Sequence, residues 1–234
     1  NDAQTQGSLG YMIALTLGNE LRKRNIKRQV AAVVTQIIVD KNDPGFQKPT
    51  KPVGPFYSKE EADKLSQEKG WVMREDAGRG WRRVVPSPIP LDIVEKDVIT
   101  MLVENDAIVI AAGGGGIPVT QANGTLKGIE AVIDKDRASA LLAKEINADL
   151  LVILTGVEKV SINFKKPDQY EVDKLTVEEA KNFLAQGQFP SGSMGPKIEA
   201  AIDFVSSTGK ECIITDMSVL DKALRGETGT RIVP

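Results

Sequence analysis

The stretch AIVIAAGGGGIPV, residues 107–119, joins an almost uninterrupted apolar run to four consecutive glycines. A strand buried on both faces carries apolar side chains at nearly every position, so this run predicts an interior strand of a parallel sheet. Three other runs of the same character predict further strands, at residues 30–39, 149–154 and 211–215.

The segments between these runs place apolar residues three or four positions apart, which is the spacing of an amphipathic helix. The predicted helices cover residues 11–24, 91–105, 137–146, 177–186 and 196–206. Alternation of strands and helices is typical of an α/β domain.

The composition excludes several kinds of chemistry. The 234 residues include no histidine and a single cysteine, Cys212. A histidine-dependent catalytic group, a zinc site built from cysteine and histidine, and a disulfide within the chain are therefore excluded. Any metal ion has to be a hard cation held by oxygen atoms.

The charge balance and hydropathy argue against two classes of partner. Thirty basic residues stand against 32 acidic ones, so no overall basic field attracts nucleic acid. No apolar run reaches 18 residues, and the opening NDAQTQG has neither region of a signal peptide. We expect a cytoplasmic protein that binds neither nucleic acid nor membrane.

Residues 44–90 interrupt the alternation, because they hold seven of the twelve prolines. Proline removes a backbone donor and ends helices, so a plain crossover helix is excluded. Compact domains rarely contain structureless loops of this length. A small inserted lobe is favoured over a long ordered loop.

The glycine run consists of Gly113, Gly114, Gly115 and Gly116. Without Cβ atoms, their N–H groups can approach an anion closely, and loops after parallel strands bind ligands in α/β proteins. The run matches neither the dinucleotide fingerprint nor Walker A. A ligand loop and a flexible turn are equally open interpretations.

Two lysines stand at predicted helix starts. Lys135 lies between Asp134 and Asp136, which suit either helix caps or carboxylates that orient a phosphate-binding lysine. Lys197 follows the Gly/Ser loop that opens at Ser191, and it falls in a first helical turn. The helix dipole disfavours a lysine there unless an anion binds, and the alternative is a solvated surface lysine.

Together these features describe a site for a highly charged anion without a histidine base. Phosphoryl transfer needs mainly positioning and cations over the phosphoryl oxygens, and an acceptor that is already anionic needs no base. The sequence therefore predicts phosphoryl transfer to a carboxylate-like acceptor.

Seven stretches resemble, in order, the carbamate kinases of the amino acid kinase family: GSLGYMIA, KPTKPVGPF, EDAGRGWRRVVPSP, GGGGIPV, GIEAVIDKDRAS, LVILTGVEKVSINFKKPDQ and GSMGPKIEAAI. The resemblance covers essentially the whole chain. It implies a three-layer αβα sandwich with a mainly parallel central sheet, one domain over residues 1–234, with residues 44–90 as a protruding lobe within it.

The resemblance also implies an activity: reversible phosphoryl transfer between ATP and carbamate, giving ADP and carbamoyl phosphate. Mg²⁺ would be held through the nucleotide phosphates, with no metal ligands on the chain. The family implies ATP synthesis in arginine catabolism and a homodimer.

Roles for individual residues follow from the same resemblance. Lys135 and Lys197 would be catalytic, and Asp136 would orient them. Lys51, from the lobe, and the four glycines would bind the substrate. The residues implied around the nucleotide are Thr155, Gly156, Val157, Phe164 and Met194.

The sequence also departs from the family. The motifs GGNA and HGNGP, which complete the family's phosphate site, do not occur, and the chain starts at Asn1. We expect a missing leading segment, and we expect these 234 residues alone to be unstable or inactive. The alternatives are another acylphosphate-forming amino acid kinase and a non-catalytic nucleotide-binding regulatory protein.

Overall fold

The computed structural model describes residues 2–76, 78–190 and 192–234. Asn1, Ala77 in the predicted lobe, and Ser191 at the head of the Gly/Ser loop lie outside the described residues. The chain divides into two compact units, residues 1–135 and 136–234.

The first unit contains three helices and nine strands among its described residues, and α4 begins at its last residue. The helices are α1 (Asp2–Lys23), α2 (Lys59–Lys69), α3 (Lys96–Glu104) and α4 (Lys135–Glu145). The strands are β1 (Val30–Ala32), β2 (Gln36–Ile38), β3 (Lys51–Tyr57), β4 (Met73–Glu75), β5 (Trp81–Val85), β6 (Asp92–Ile93), β7 (Ile108–Ile110), β8 (Ile117–Ala122) and β9 (Thr125–Gly128).

Parallel pairing in the first unit joins β1 to β7 and β2 to β8. The antiparallel strands β6 and β9 flank the second pair, in the order β6-β2-β8-β9. Ile37, at the centre of β2, is fully buried. Strands β1, β2 and β7 fall within the two apolar runs that predict interior strands, whereas β8 follows the glycine run and was not predicted as a strand.

Residues 51–85 form a separate antiparallel sheet in the order β3-β5-β4, with α2 packed against its strands. A capping box formed by Ser58 and Glu61 starts α2, and left-handed Gly70 ends it. The Lys59 ammonium lies 4.3 Å from the centre of the Trp81 ring, which ties the helix to β5. The assignment of residues 44–90 to a lobe within one domain stays a prediction.

The second unit is built around a four-stranded sheet in the order β10-β14-β15-β13. Its strands are β10 (Leu150–Thr155), β13 (Lys174–Thr176), β14 (Glu211–Asp216) and β15 (Thr230–Val233), and a hairpin adds β11 (Val160–Ile162) and β12 (Tyr170–Val172). Its further helices are α5 (Val177–Ala185), α6 (Met194–Thr208) and α7 (Leu220–Leu224).

The central strand β14 is covered on both faces. Cys212 and Ile214 join one hydrophobic cluster with α6, whose Phe204 is fully buried. Ile213 points the other way, where it and Ala223 of α7 surround Gly229. Helices therefore lie on both faces of β14, as its continuous apolar run requires.

Three element predictions are wrong in detail. The helix predicted at 11–24 already begins at Asp2. The run at 30–39 forms two strands, β1 and β2, because the segment that pairs with it is interrupted. That segment pairs through β7, leaves the ladder at the glycine run, and pairs again through β8. The helix predicted at 91–105 begins only at Lys96, because Ile93 pairs with Ile37 in the sheet instead. Within the described part of the chain, no helix is long and apolar enough to cross a membrane.

Candidate active site

The glycine loop in the first unit combines two packed and two exposed glycines. Gly115 and Gly116 have φ of +109° and +89°. A Cβ atom would lie 2.3 Å from the Ile133 carbonyl oxygen at the first position and 2.3 Å from Ile37 Cγ1 at the second. Any other residue would clash at both positions. Gly113 and Gly114 are exposed, so their backbone is accessible to a ligand.

The lysine predicted to come from the lobe lies beside the aspartate-rich segment. Lys51, the first residue of β3, places its Nζ 2.5 Å from Asp134 Oδ2. Asp134 is buried, whereas 28% of the Lys51 side chain is exposed. Lys135 follows Asp134 and is exposed at the start of α4. The structure thus brings Lys51 to Asp134, although the two lie 83 positions apart in the sequence.

The second unit contains a buried lysine–aspartate pair. Lys197 Nζ lies 3.0 Å from each carboxylate oxygen of Asp136. Only about a tenth of each side chain is exposed, at 10% for Lys197 and 9% for Asp136. The alternative of a solvated surface lysine is therefore wrong. In this structure, the Asp136 carboxylate is the anion that offsets the unfavourable position of Lys197 in a first helical turn.

Two more ion pairs join the helices that carry this pair. Arg137 of α4 contacts Glu199 of α6 at 2.7 Å, and Lys144 contacts Asp203 at 2.6 Å. Together with Asp136 and Lys197, they connect α4 to α6 at three levels. A lysine held by two oxygens between connected helices has little freedom to move, which suits a group that must meet developing charge.

The residues predicted around the nucleotide lie at several places in the second unit. Thr155 ends β10, with the exposed Gly156 and Val157 directly after it. Phe164 is exposed in the turn after β11, and Met194 is the half-buried first residue of α6. Among the described residues, no hydrogen bond or ion pair joins the side chains of these five, and their grouping stays a prediction.

Sequence reasoning missed Asp216 and Met217. Thr155 pairs with Asp216 in the parallel ladder of β10 and β14, so both strands end at one edge. Met217 follows there with 71% of its surface exposed. The carboxyl edge of parallel strands binds ligands in α/β proteins. The same rule, applied to the strand predicted at 211–215, would have found these residues.

The described residues contain no cluster of three or more carboxylate or cysteine side chains placed to hold a metal ion. Asp136 uses both of its oxygens to accept bonds from Lys197. That magnesium is held through the nucleotide phosphates, without ligands from the chain, stays a prediction.

The glycine loop of the first unit and the buried lysine at a helix start in the second are the features from which the sequence predicts phosphoryl transfer. A sequence model of the amino acid kinase family matches residues 13–216. The chain belongs to the amino acid kinase family, and this confirms the family and the α/β fold predicted from the motifs.

Within the amino acid kinase family, the relatives with high sequence identity are carbamate kinases. The chain is 57% identical to the carbamate kinase of Thermococcus kodakarensis and 53% identical to that of Pyrococcus horikoshii, over 99% of its own length and 73% and 74% of theirs. A solved structure, carbamate kinase from Giardia lamblia bound to AMP-PNP, shares 47% identity with a TM-score of 0.86 and covers 99% of this chain and 73% of that one. These comparisons confirm the prediction of a kinase and favour carbamate kinase over the alternatives.

Proposed function

We propose that this chain transfers a phosphoryl group reversibly between ATP and carbamate, giving ADP and carbamoyl phosphate. The observation that carries the proposal is the buried Lys197–Asp136 pair, found in a chain whose relatives are carbamate kinases. Carbamate is a small anion that is already charged, so its attack on a phosphoryl group needs charge neutralisation and no general base. A chain without histidine suits that requirement.

Lys197 is the central catalytic group of this proposal. Its ammonium lies 3.0 Å from both oxygens of the Asp136 carboxylate, which fix its direction, so little reorganisation is needed when charge develops on the transferring phosphoryl group. Asp136 orients the ammonium. Lys135 supplies a second cation from the exposed start of α4.

Lys51 and the glycine loop bind the carbamate and phosphoryl oxygens in this proposal. Gly113 and Gly114 offer accessible backbone, and Gly115 and Gly116 fix the loop. Lys51 is partly exposed and bound to Asp134, so an incoming anion can compete with that carboxylate for the ammonium.

The nucleotide is bound by the second unit, through Thr155, Gly156, Val157, Phe164 and Met194. The solved relative from Giardia lamblia, which carries AMP-PNP, supports a nucleotide site in this family. Mg²⁺ bound through the nucleotide phosphates supplies neutralisation of their charge. The chain's own residues orient the nucleotide and exclude water from it.

Further proposals follow from the resemblance to carbamate kinases. Residues 44–90 form the inserted lobe of a single kinase domain. The protein is a cytoplasmic homodimer that makes ATP from carbamoyl phosphate in arginine catabolism. Light scattering tests the dimer, and the ratio of forward to reverse turnover tests the direction.

The experiment is coupled ATP formation from ADP, Mg²⁺ and carbamoyl phosphate, compared between the full-length wild-type protein and its Lys197→Met variant. We expect the substitution to lower kcat/KM by about 1,000-fold or more, because it removes the fixed cation that meets the transferring charge. Lys144→Met is the matched control, since it removes an α4–α6 ion pair outside the proposed catalytic group.

Turnover of carbamoyl phosphate that is lost in Lys197→Met and kept in Lys144→Met supports the proposal. Wild-type turnover from Lys197→Met removes Lys197 from the mechanism. Turnover with another acylphosphate, but none with carbamoyl phosphate, overturns the proposed substrate. Circular dichroism of each variant shows whether it is folded.

A further inference from the structure

The glycine loop interrupts the parallel pairing between two segments of the chain, which pair as β1 with β7 before the loop and as β2 with β8 after it. Ala32 pairs with Ile110, and Gln36 pairs with Ile117. The partner lies 78 positions further along in the first pair and 81 in the second, so the glycine side contains three extra residues. The continuous segment of residues 30–38 therefore pairs with the chain both before and after the glycine loop.

This excursion removes regular partners from buried backbone groups. Val33 N–H donates to the Ile110 carbonyl at 2.9 Å. If the ladder continued, Ala112 N–H would donate to the Val33 carbonyl and Thr35 N–H to the Ala112 carbonyl. The loop instead turns at Ala112, whose φ is +52°. Buried amide groups need replacement partners, and side chains supply them here.

The Thr35 hydroxyl replaces one lost ladder bond. Its Oγ1 accepts from Ala112 N–H at 2.8 Å and donates to the Val33 carbonyl at 2.8 Å. The hydroxyl therefore sits between the donor and the acceptor that a regular ladder would join directly. Thr35 is fully buried, so no water competes for these bonds.

The Gln6 side chain, from α1, replaces the other lost bond. Its Oε1 accepts from Thr35 N–H at 2.9 Å, and its Nε2 donates to the Thr35 carbonyl at 3.3 Å. Gln6 also lies directly beneath the loop, because a Cβ atom on Gly113 would lie 3.3 Å from Gln6 Cγ. Two side chains distant in sequence therefore fix where the exposed glycines lie.

We propose that Thr35 and Gln6 are positioning residues, which hold Gly113 and Gly114 where their backbone can bind the carbamate or phosphoryl anion. This inference rests on the proposed role of the glycine loop in substrate binding. Neither side chain touches the substrate. Both act through the backbone of the loop, so they should affect binding of the anion and leave nucleotide binding unchanged.

The test uses Thr35→Val, which keeps the side-chain shape but removes both hydroxyl bonds, and Gln6→Met. Thr35→Ser keeps the hydroxyl and is the rescue variant. The matched controls are Thr100→Val, which removes a hydroxyl bonded to a carbonyl in α3, and Gln4→Met, at an exposed position of α1. The measurements are KM for carbamoyl phosphate, KM for ADP, and amide hydrogen exchange of residues 111–117 with and without inorganic phosphate.

We expect Thr35→Val and Gln6→Met to raise KM for carbamoyl phosphate about tenfold, the effect of losing one hydrogen bond between the displaced loop backbone and the anion, with KM for ADP unchanged. Exchange of residues 111–117 should become faster in Thr35→Val and Gln6→Met, and inorganic phosphate should slow this exchange in the wild type and in Thr35→Ser but not in those two variants. The controls should behave as the wild type.

Equal rises in both KM values, or equally faster exchange at residues 150–155, would indicate general loosening and overturn the positioning role. Unchanged loop exchange in Thr35→Val would overturn it as well. If the wild type fails to convert carbamoyl phosphate, the proposed function fails instead. Loop exchange with phosphate needs no turnover, so it still decides the positioning role.

Discussion

The candidate site includes one lysine–aspartate pair from each unit, and the two pairs differ in the exposure of the lysine and in geometry. Lys197 contacts both oxygens of Asp136 at 3.0 Å, with both side chains almost fully buried. Lys51 contacts one oxygen of Asp134 at 2.5 Å and remains partly exposed. The first ammonium is fixed in direction, and the second can exchange its partner.

This difference shows how one residue type serves two purposes. A buried, bidentate pair has a large desolvation cost, and removing one partner leaves an uncompensated charge. The Lys51–Asp134 pair contributes less to stability, since water reaches the partly exposed Lys51 ammonium. Lys197 therefore suits a fixed electrostatic role, and Lys51 suits capture and release of an anion.

The largest expected difference concerns stability after the aspartate is neutralised. Asp136→Asn should destabilise the second unit by about 3–5 kcal/mol, because the Lys197 charge stays buried without its carboxylate. Asp134→Asn should cost the first unit about 1 kcal/mol. Urea unfolding measures both, with a separate probe for each unit.

The chain provides those probes. Both tryptophans, Trp71 and Trp81, lie in the first unit, and the single cysteine lies in the second. Burial raises the pKa of the Cys212 thiol to about 12, so this thiol is unreactive until the second unit unfolds. The double variant with Asp136→Asn and Lys197→Met should recover most of the lost stability. Equal costs for the two single Asp→Asn variants would contradict the comparison.

A smaller effect is expected from Lys51→Met. Its loss should raise KM for carbamoyl phosphate about 10- to 100-fold, since one charged hydrogen bond to the substrate is removed. The tryptophan unfolding midpoint should hardly change, because the pair is partly exposed. Lys64→Met, on the exposed surface of α2, is the control. A large loss of stability with unchanged KM would make Lys51 a structural residue.

The smallest effect concerns two capping boxes, one in each unit. Bonds with Ser58 hold the pKa of Glu61 below its usual 4.5, and bonds with Thr176 do the same for Glu179. A lowered folded-state pKa means that each cap stabilises its helix above the unfolded value and weakens as pH falls through the folded value. Acidification below pH 4.5 should therefore loosen α2 and α5.

Carbon NMR titration of the carboxylates measures this effect. Ser58→Ala should return the pKa of Glu61 toward 4.5 and leave Glu179 unchanged, and Thr176→Ala should do the reverse. A shift of both carboxylates in either variant would show that the lowered values arise from something other than the local cap.

Much of the fold could be predicted from local pattern. Apolar runs found the strands at 149–154 and 211–215, and helical spacing found α5 and α6 within two residues at each end. A strand that is buried on both faces carries a continuous run of apolar residues, so such strands can be predicted from the sequence. The division of the run at 30–39 into two strands could not be predicted, because Thr35 is a β-branched residue like several others in that run.

The sequence predicted which residues belong to the candidate site better than it predicted how they are arranged. Lys135, Asp136, Lys197 and the glycines stand out because lysines at helix starts and consecutive glycines are locally unfavourable without a compensating partner. The partnership of Asp136 with Lys197, 61 positions apart, was expected only from the resemblance to carbamate kinases, and that of Lys51 with Asp134, 83 positions apart, was not predicted. Asp216 and Met217 were missed because they carry no unusual local pattern.

The α/β class, the family and the residues able to neutralise a phosphoryl group can be predicted without the structure, because periodicity, long motifs and the absence of histidine are properties of the amino-acid order and composition. Only the tertiary structure decided which lysine is buried, which is exposed, and how Gln6 and Thr35 close the ladder around the glycine loop. Burial and hydrogen bonding depend on residues that folding brings together from distant parts of the chain. The local sequence around each residue does not identify those partners.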